Sequence, residues 1–321
     1  MRLGIDLGGT KTEILALDET GQMLLRRRIL TERNYAGQIA AITALVHQTE
    51  CDLRRTGSLG LAIPGTISRR TSLVKNANAT WLNDKPFARD LEQALGRPVR
   101  IANDANCFAL SEAVDGAGAG YDAVFGVILG TGVGGGVVID GHALEGANSI
   151  AGEWGHNPLP HMSASEAAEI PQCYCGRTGC IEQWLSGPGL AADFVRHLPE
   201  DIGPECAGWD ATTIAASDYP AAVAALERWL DRLARSLATV VNLLDPDIMV
   251  LGGGLSNITQ FRDRLPSLVE AYAFRMEEAP RIVAGFHGDS SGVRGAAWLW
   301  PQGTAARAHR WETSAESEGT Q

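Results

Sequence analysis

Three cysteines fall within eight residues in Cys173-Tyr-Cys-Gly-Arg-Thr-Gly-Cys180, in a chain of 321 residues with six cysteines in all. Thiolates so closely spaced are metal ligands, and a closed tetrahedral zinc site needs one more. His156, in Gly152-Glu-Trp-Gly-His-Asn-Pro158, is the expected fourth ligand; the other nearby imidazole, His161, is followed by a polar segment. A Cys₃His set leaves no open position, so such a metal is structural rather than hydrolytic. Its use is to pin what lies beside it: Glu153 stands three residues before His156, and Glu182 two after Cys180. Two carboxylates hung from one scaffold suit the recognition of adjacent sugar hydroxyls. The competing reading is three free thiols in a loop. Cys51, Cys107 and Cys206 are isolated in the sequence, which argues against a disulfide framework and for a reducing, cytoplasmic setting.

Asp104, in Arg100-Ile-Ala-Asn-Asp-Ala-Asn106, sits where a strand gives way to a helix. A carboxylate there can take the proton of an attacking hydroxyl, the base role in phosphoryl transfer. The plain alternative is helix N-capping by Asn103 or Asp104. Asp6 ends the first strand-like run, just before Gly8-Gly-Thr-Lys11. That loop is not a P-loop, because Thr10 stands where Lys is required and Lys11 comes one residue late. Gly130, Gly132 and Gly135 match the dinucleotide fingerprint, but the chain continues as a strand instead of entering a helix. What remains is a pair of strand–glycine–strand hairpins. Either they are merely tight turns, or their N–H groups and the hydroxyls of Thr10 and Thr131 face phosphates from two sides, with Asp6 anchoring hydrated Mg²⁺.

The elements that must position these groups follow from the patterning. Arg2–Leu30 reads as three strands, Ala36–Arg55 as a helix, Leu59–Ile63 as a buried strand, Phe87–Leu95 as a helix and Val99–Ala102 as a strand before a helix from about Ala105. Shifted by 122 residues, Leu3–Asp18 lies over Phe125–Asp140, with Gly4, Leu7, Gly8 and Asp18 meeting Gly126, Leu129, Gly130 and Asp140. The shared strand–glycine–strand grammar predicts two similar α/β domains facing each other. Pro220–Leu244 reads as a long helix, Asp247–Leu251 as a strand, Ile258–Ala273 as one helix, and Ser290–Trp300 as a final helix capped by Asp289 or Ser290. The polar tail after Pro301 reads as disordered.

A net charge of −11 argues against a nucleic-acid partner but not against a small anion met locally by N–H groups. The chain opens directly into a strand, without the pattern of a secretory leader. The longest uncharged run, Ala123–Ile139, contains six glycines in 17 residues and reads as two strands, not a membrane helix.

Taken together, "GIDLGGTKTEI", "ANDANCFALSEA", "GTGVGGG", "GEWGHNPLP" and "CYCGRTGCIE" resemble the ROK family of sugar kinases and sugar-responsive repressors, over residues 1 to about Pro301. Within it, "NANATWLND", "GEWGHNPLP" and "HGDSSGVRGAAWLWP" look most like bacterial fructokinases that also accept mannose; "ANDANCFALSEA" and "ILGTGVGGG" are equally like N-acetylglucosamine kinases. The resemblance implies a duplicated, actin-like (ribonuclease H-like) α/β fold with the active site between two domains. These would be residues 1–117, joined by a C-terminal helix 289–301, and residues 118–288, with 302–321 as a disordered tail. It implies that Asp6, Gly8, Gly9, Thr10 and Lys11 meet Mg²⁺ and ATP, that Gly130, Thr131, Gly132 and Gly134 form the second phosphate loop, and that Gly252, Gly253 and Gly254 lie near the adenosine. Asn78, Asn103, Asp104, Glu153, His156 and Glu182 would hold the sugar, with Asp104 as base. His156, Cys173, Cys175 and Cys180 would hold structural Zn²⁺.

The expected reaction is ATP-dependent phosphorylation of the 6-hydroxyl of fructose, with mannose or glucose as further substrates. An N-acetylhexosamine kinase is the alternative, with "NANATWLND" as the expected place of choice. The other rivals are a non-catalytic sugar-responsive regulator and an actin-like ATPase without a sugar. The regulators carry a DNA-binding helix-turn-helix ahead of the core, for which a first strand starting at residue 3 leaves no room. Dimers are common in the family, so a homodimer is left open.

Overall fold

The computed structural model describes residues 1–198, 206, 208–288 and 291–300. In one sheet, β1 (Arg2–Leu7), β2 (Lys11–Leu17) and β3 (Met23–Leu30) form an antiparallel meander. Beside β1 lies the parallel strand β4 (Ser58–Ile63). A small hairpin, β5 (Thr66–Ile67) and β6 (Val74–Lys75), leaves the sheet before β7 (Val99–Asn103) returns parallel to β4. The second sheet repeats the plan. Its meander is β8 (Ala123–Leu129), β9 (Val133–Ile139) and β10 (His142–Ala143), and its parallel strands are β11 (Ile248–Gly252) and β12 (Ile282–Ala284). The strand order 3-2-1-4-7 in one is 10-9-8-11-12 in the other. The 122-residue shift seen in the sequence carries Lys11–Leu17 onto Val133–Ile139, the bounds of β9.

Helices fill both faces because the parallel strands are apolar on both sides. Helices α1 (Tyr35–Leu53) and α2 (Phe87–Leu95) cover one face of the first sheet, where Leu3, Ile5, Leu61, Ile42 and Phe87 are fully buried. Local signals set their ends: Asn34 accepts from the Gly37 N–H at the start of α1, and Gly96 in the left-handed region stops α2. Between the two sheets lies α3 (Asp104–Asp115). The outer face of the second sheet carries α4 (Ala164–Ala168), α5 (Glu182–Leu185), α6 (Gly187–Arg196), α7 (Ala211–Ala215), the long α8 (Pro220–Leu244) and α9 (Leu265–Tyr272), packed around Trp184, Trp229, Phe194 and Leu233.

One expected helix is broken. Ile258–Ala273 contains a 3₁₀ turn at Thr259–Phe261 and then α9, which starts only at Leu265. Pro266 stands in the first turn of α9, the place where its missing N–H costs nothing; deeper in a helix it would clash with the preceding turn. The final helix, α10, spans Ser291–Trp298. Its expected caps Asp289 and Ser290 lie outside the described residues, as do residue 301 and the tail 302–321.

The last helix of each half crosses over: α10 packs on the first sheet, and α3 packs on the second. Two glycines at matched positions make room. A Cβ on Gly4 would lie 2.0 Å from the Val293 carbonyl of α10, and one on Gly126 would lie 2.7 Å from Ala109 Cβ of α3. Where the two helices touch, a Cβ on Gly295 would lie 1.7 Å from the Cys107 carbonyl. Polar locks hold the crossing. Asp115 accepts from His287 Nε2 at 2.9 Å, from Arg294 Nε at 2.9 Å and from Trp298 Nε1 at 3.1 Å. The fully buried Glu112 accepts from the Phe286 N–H at 2.9 Å and from Ser291 Oγ at 3.0 Å. No helix among the described residues is long and apolar enough to cross a membrane.

Candidate active site

The second glycine hairpin lies against the start of α3, where a Cβ on Gly134 would be 3.4 Å from Ala105 Cβ, and Asp6 beside the first hairpin feels the charge of Asp104 there. Asp6 is the penultimate residue of β1, and among the described residues no hydrogen bond or salt bridge engages its carboxylate. Its pKa is raised to about 7, first by burial and then by the charges of Asp104 and Glu13. Asp104 is the first residue of α3, and Asn103 is the cap: its side chain accepts from the Ala105 N–H at 2.9 Å and donates to the Gly65 carbonyl at 3.3 Å. Capping thus falls to Asn103, although Asp104 also accepts from Ala105 at 2.9 Å. Asp104 touches solvent through the cleft opening, yet protein crowds its carboxyl from the other sides, and that crowding governs the cost of ionising it. Burial and the charge of Glu153 raise its pKa to about 6, against the Ala105 hydrogen bond. A carboxylate with this affinity can hold a proton taken from a hydroxyl and release it near neutral pH.

The other carboxylates follow in a chain. Glu153 precedes the 3₁₀ turn Trp154–His156, which is tied to β9 by a 2.8 Å bond from Trp154 Nε1 to the Gly134 carbonyl. Its pKa is raised by desolvation and by Glu182, while His156 and Lys75 act in the opposite direction. Glu182, the first residue of α5, is buried and accepts from the Val133 N–H at 2.9 Å. It therefore braces the second glycine loop as well as facing Glu153. Lys75 has no motif around it and escaped the sequence reading; it donates to the Asn148 carbonyl at 2.7 Å, linking β6 to the second half. Asn78 is exposed, with its N–H donating to the Pro64 carbonyl at 2.9 Å.

The loops themselves fit a phosphate cradle unevenly. A Cβ on Gly9, Gly130 or Gly254 would meet open space, so the backbone there is free to be approached. Gly252 and Gly253 have a packing reason of their own: a Cβ would lie 2.5 Å from the Phe108 ring and 2.4 Å from the Leu129 carbonyl, respectively. Gly253 also has φ +81°, which L residues rarely adopt. Gly8 donates to the Lys11 carbonyl at 3.0 Å, and Thr10, Lys11 and Thr131 are exposed. Gly132 lies against Glu182, whose Oε2 would be 2.7 Å from an added Cβ, whereas Gly134 has only ordinary contacts at 3.4 Å and beyond.

The cysteine cluster closes as a four-ligand group. His156, Cys173, Cys175 and Cys180 offer ligand atoms that all lie within 4.8 Å of one another. Cys173 Sγ is 3.7 Å from His156 Nδ1 and Cys175 Sγ is 3.6 Å from Cys180 Sγ. Neighbouring ligand atoms around a tetrahedral zinc ion sit about 3.5–3.8 Å apart, so the donor set and its spacing fit that ion. His161 stays out, stacked on Tyr272 instead. Tyr174, which no motif singled out, lies edge-on to His156 with its hydroxyl 3.1 Å from Nε2.

Residues 2–303 match the ROK family, and the chain belongs to it, with the fold of its sugar kinases. The chain is 40% identical over 308 residues to the N-acetyl-D-glucosamine kinase of Yersinia pseudotuberculosis serotype IB (strain PB1/+), covering 93% of this chain and 98% of that one. It is 38% identical over 303 residues to the N-acetyl-D-glucosamine kinase of Photobacterium profundum, covering 93% and 99%. The ROK hexokinase of Thermus thermophilus superposes with a TM-score of 0.79 at 28% identity, over 93% of this chain and 96% of that one. The ROK family glucokinase of Streptomyces griseus, solved with glucose and AMPPNP, superposes with a TM-score of 0.75 at 28% identity, over 94% and 99%.

Proposed function

We propose that the protein is an ATP- and Mg²⁺-dependent kinase that phosphorylates the 6-hydroxyl of N-acetylglucosamine. The observation that carries the reading is the carboxylate Asp104 at the start of α3, its pKa raised to about 6 by crowding and by Glu153, in a chain 40% identical across 93% of its length to a kinase of that name. Asp104 takes the hydroxyl proton as the oxygen attacks the γ-phosphorus in line. Asp6, Gly8–Lys11 and Gly130–Gly134 hold the metal-bound phosphates, and Gly254 borders the nucleoside. Mg²⁺, when bound, neutralises charge on the transferred phosphoryl group. Asn78, Asn103, Glu153, His156 and Glu182 orient the sugar hydroxyls. Zn²⁺, when bound by His156 and the three cysteines, fixes the turn that carries Glu153 and His156. Nδ1 faces Cys173 Sγ at 3.7 Å, so Nε2, 3.1 Å from the Tyr174 hydroxyl in this structure, is the ring nitrogen that would turn to a sugar hydroxyl in place of Tyr174.

Fructose, the finer expectation from the sequence, is the second reading; "NANATWLND" and "HGDSSGVRGAAWLWP" favour it, and the named relatives do not. The test is ADP release from Mg·ATP against N-acetylglucosamine, fructose, mannose, glucose and N-acetylmannosamine. A kcat/KM at least tenfold above the others for N-acetylglucosamine is expected. A fructose preference overturns the sugar assignment, and no turnover with any sugar overturns the kinase.

A further inference from the structure

Outside the Asp6–Asp104 cleft, on the outer side of the second half, lies a cavity of about 380 Å³. Arg196, Arg228, Arg232 and Arg235 line it, with Trp184 and Tyr272 as aromatic walls. Four guanidiniums in one pocket need four negative charges. Glu166 takes Arg232 Nε at 2.7 Å and Arg235 Nη2 at 2.8 Å. The deeply buried Asp193 takes Arg228 Nε at 2.9 Å and Arg232 Nη1 at 2.8 Å. Asp231 takes Arg235 Nε at 3.0 Å and the Tyr272 hydroxyl at 2.6 Å, and Glu169 takes Arg196 Nε at 3.1 Å.

Each guanidinium is thus matched by a carboxylate in the wall, Glu169 and Asp231 remain about half exposed, and several guanidinium donors are still without a partner. Arg228 Nη1 and Arg232 Nη2 make no hydrogen bond among the described residues, and neither do the terminal nitrogens of Arg196. His197 uses Nδ1 on the Asp193 carbonyl at 2.8 Å, which leaves Nε2. Trp184 is 2% exposed, and its Nε1–H has no partner among the described residues. Of these donors only the Trp184 Nε1–H is buried, where a missing acceptor is costly; the unpaired guanidinium nitrogens are accessible, open to an acceptor-rich anion in place of water.

Planar guanidinium forks match phosphate oxygens in pairs. The volume exceeds what a lone phosphate fills and falls in the range of about 300–1,000 Å³ common for small-molecule sites. We propose that this cavity binds a phosphomonoester of hexose-phosphate size, its phosphate on the guanidiniums and its carbon skeleton against Trp184 and Tyr272. The site reports to the cleft through α5, because Trp184 stands two residues from Glu182, the brace of the second glycine loop.

Calorimetric titration of the full chain with glucose 6-phosphate, and separately with inorganic phosphate, tests this. Glucose 6-phosphate is expected to bind with a Kd below about 1 mM, and inorganic phosphate at least tenfold more weakly. The double variant Arg196→Ala/Arg228→Ala, at partly exposed positions, should weaken the sugar phosphate at least tenfold while leaving kcat with saturating substrates unchanged. Ser165→Glu, which puts a carboxylate on the exposed pocket rim in the first turn of α4, should do the same while giving up only the 3.0 Å contact of Ser165 Oγ with Ser163 Oγ. Three results overturn the proposal: no binding of either probe, binding that both variants leave intact, or malonate binding as tightly as the phosphate ester.

Discussion

Between Leu7 and Thr12 the first hairpin turns in four residues; between Leu129 and Val133 the second turns in three. The strands leading into these turns match at Gly4 and Gly126, each a bed for a crossing helix, and at Leu7 and Leu129, both fully buried. They part at the next position back. Asp6 in the first corresponds to Ile128 in the second. The first loop is open, with a free carboxylate behind it. The second is braced from below: Glu182 accepts from Val133, and the Gly187 N–H donates to the Gly130 carbonyl at 2.8 Å. Duplication supplied two matched glycine turns, and departures from the repeat supplied the charge. One half brings the carboxylates Asp6 and Asp104, and the other brings Glu153, Glu182 and the cysteine cluster.

The first way to break this comparison is to silence the first half. Asp104→Asn is expected to lower kcat by a factor of about 10² or more while calorimetry still finds the sugar bound. Unchanged kcat would remove Asp104 from the base role. Silencing the scaffold of the second half should act on binding instead. Cys175→Ser should lose its metal by elemental analysis and raise the sugar KM by about tenfold or more, on the scale seen when metal supports are removed. A wild-type protein free of zinc would end that account.

The two glycines sharpen the comparison in stability. Gly4→Ala sets a methyl against a backbone carbonyl at 2.0 Å, whereas Gly126→Ala meets a side-chain methyl at 2.7 Å. Both should destabilise, Gly4→Ala by about 3 kcal/mol or more and Gly126→Ala by about 1–2 kcal/mol, in urea unfolding. Equal losses would mean that the two helices are bedded alike.

The last comparison is in pH. Asp6 and Asp104 hold protons more tightly in the folded chain, with pKa values of about 7 and about 6 against an ordinary 3.8. Between pH 4 and pH 7 the folded state therefore binds more protons than the unfolded one, and these groups lower stability as pH rises. Asp6→Asn should melt above the wild type at pH 8 and alongside it at pH 4. Activity should run the other way, with kcat rising through about pH 6 as Asp104 ionises. A wild-type melting advantage at pH 8 would contradict the crowding of Asp6.

The sequence alone determined a good deal. Alternating apolar residues marked the strands, and the glycine spacing marked both hairpins, because a period of two and a turn without Cβ atoms are local properties. The bounds of α2 and α8 could be read directly, while Pro266 broke a helix that apolar spacing alone would have continued. Cys173, Cys175 and Cys180 announced a ligand set by their spacing. Only the tertiary structure decided what these pieces meet. It made Asn103 the cap of α3, turned Glu182 toward Val133, put Tyr174 on His156, and brought Lys75 from a different sheet edge to act on Glu153. None of those relations is local. Lys75 and Glu153 are far apart in the chain, and their meeting depends on how two sheets close on a pair of crossed helices.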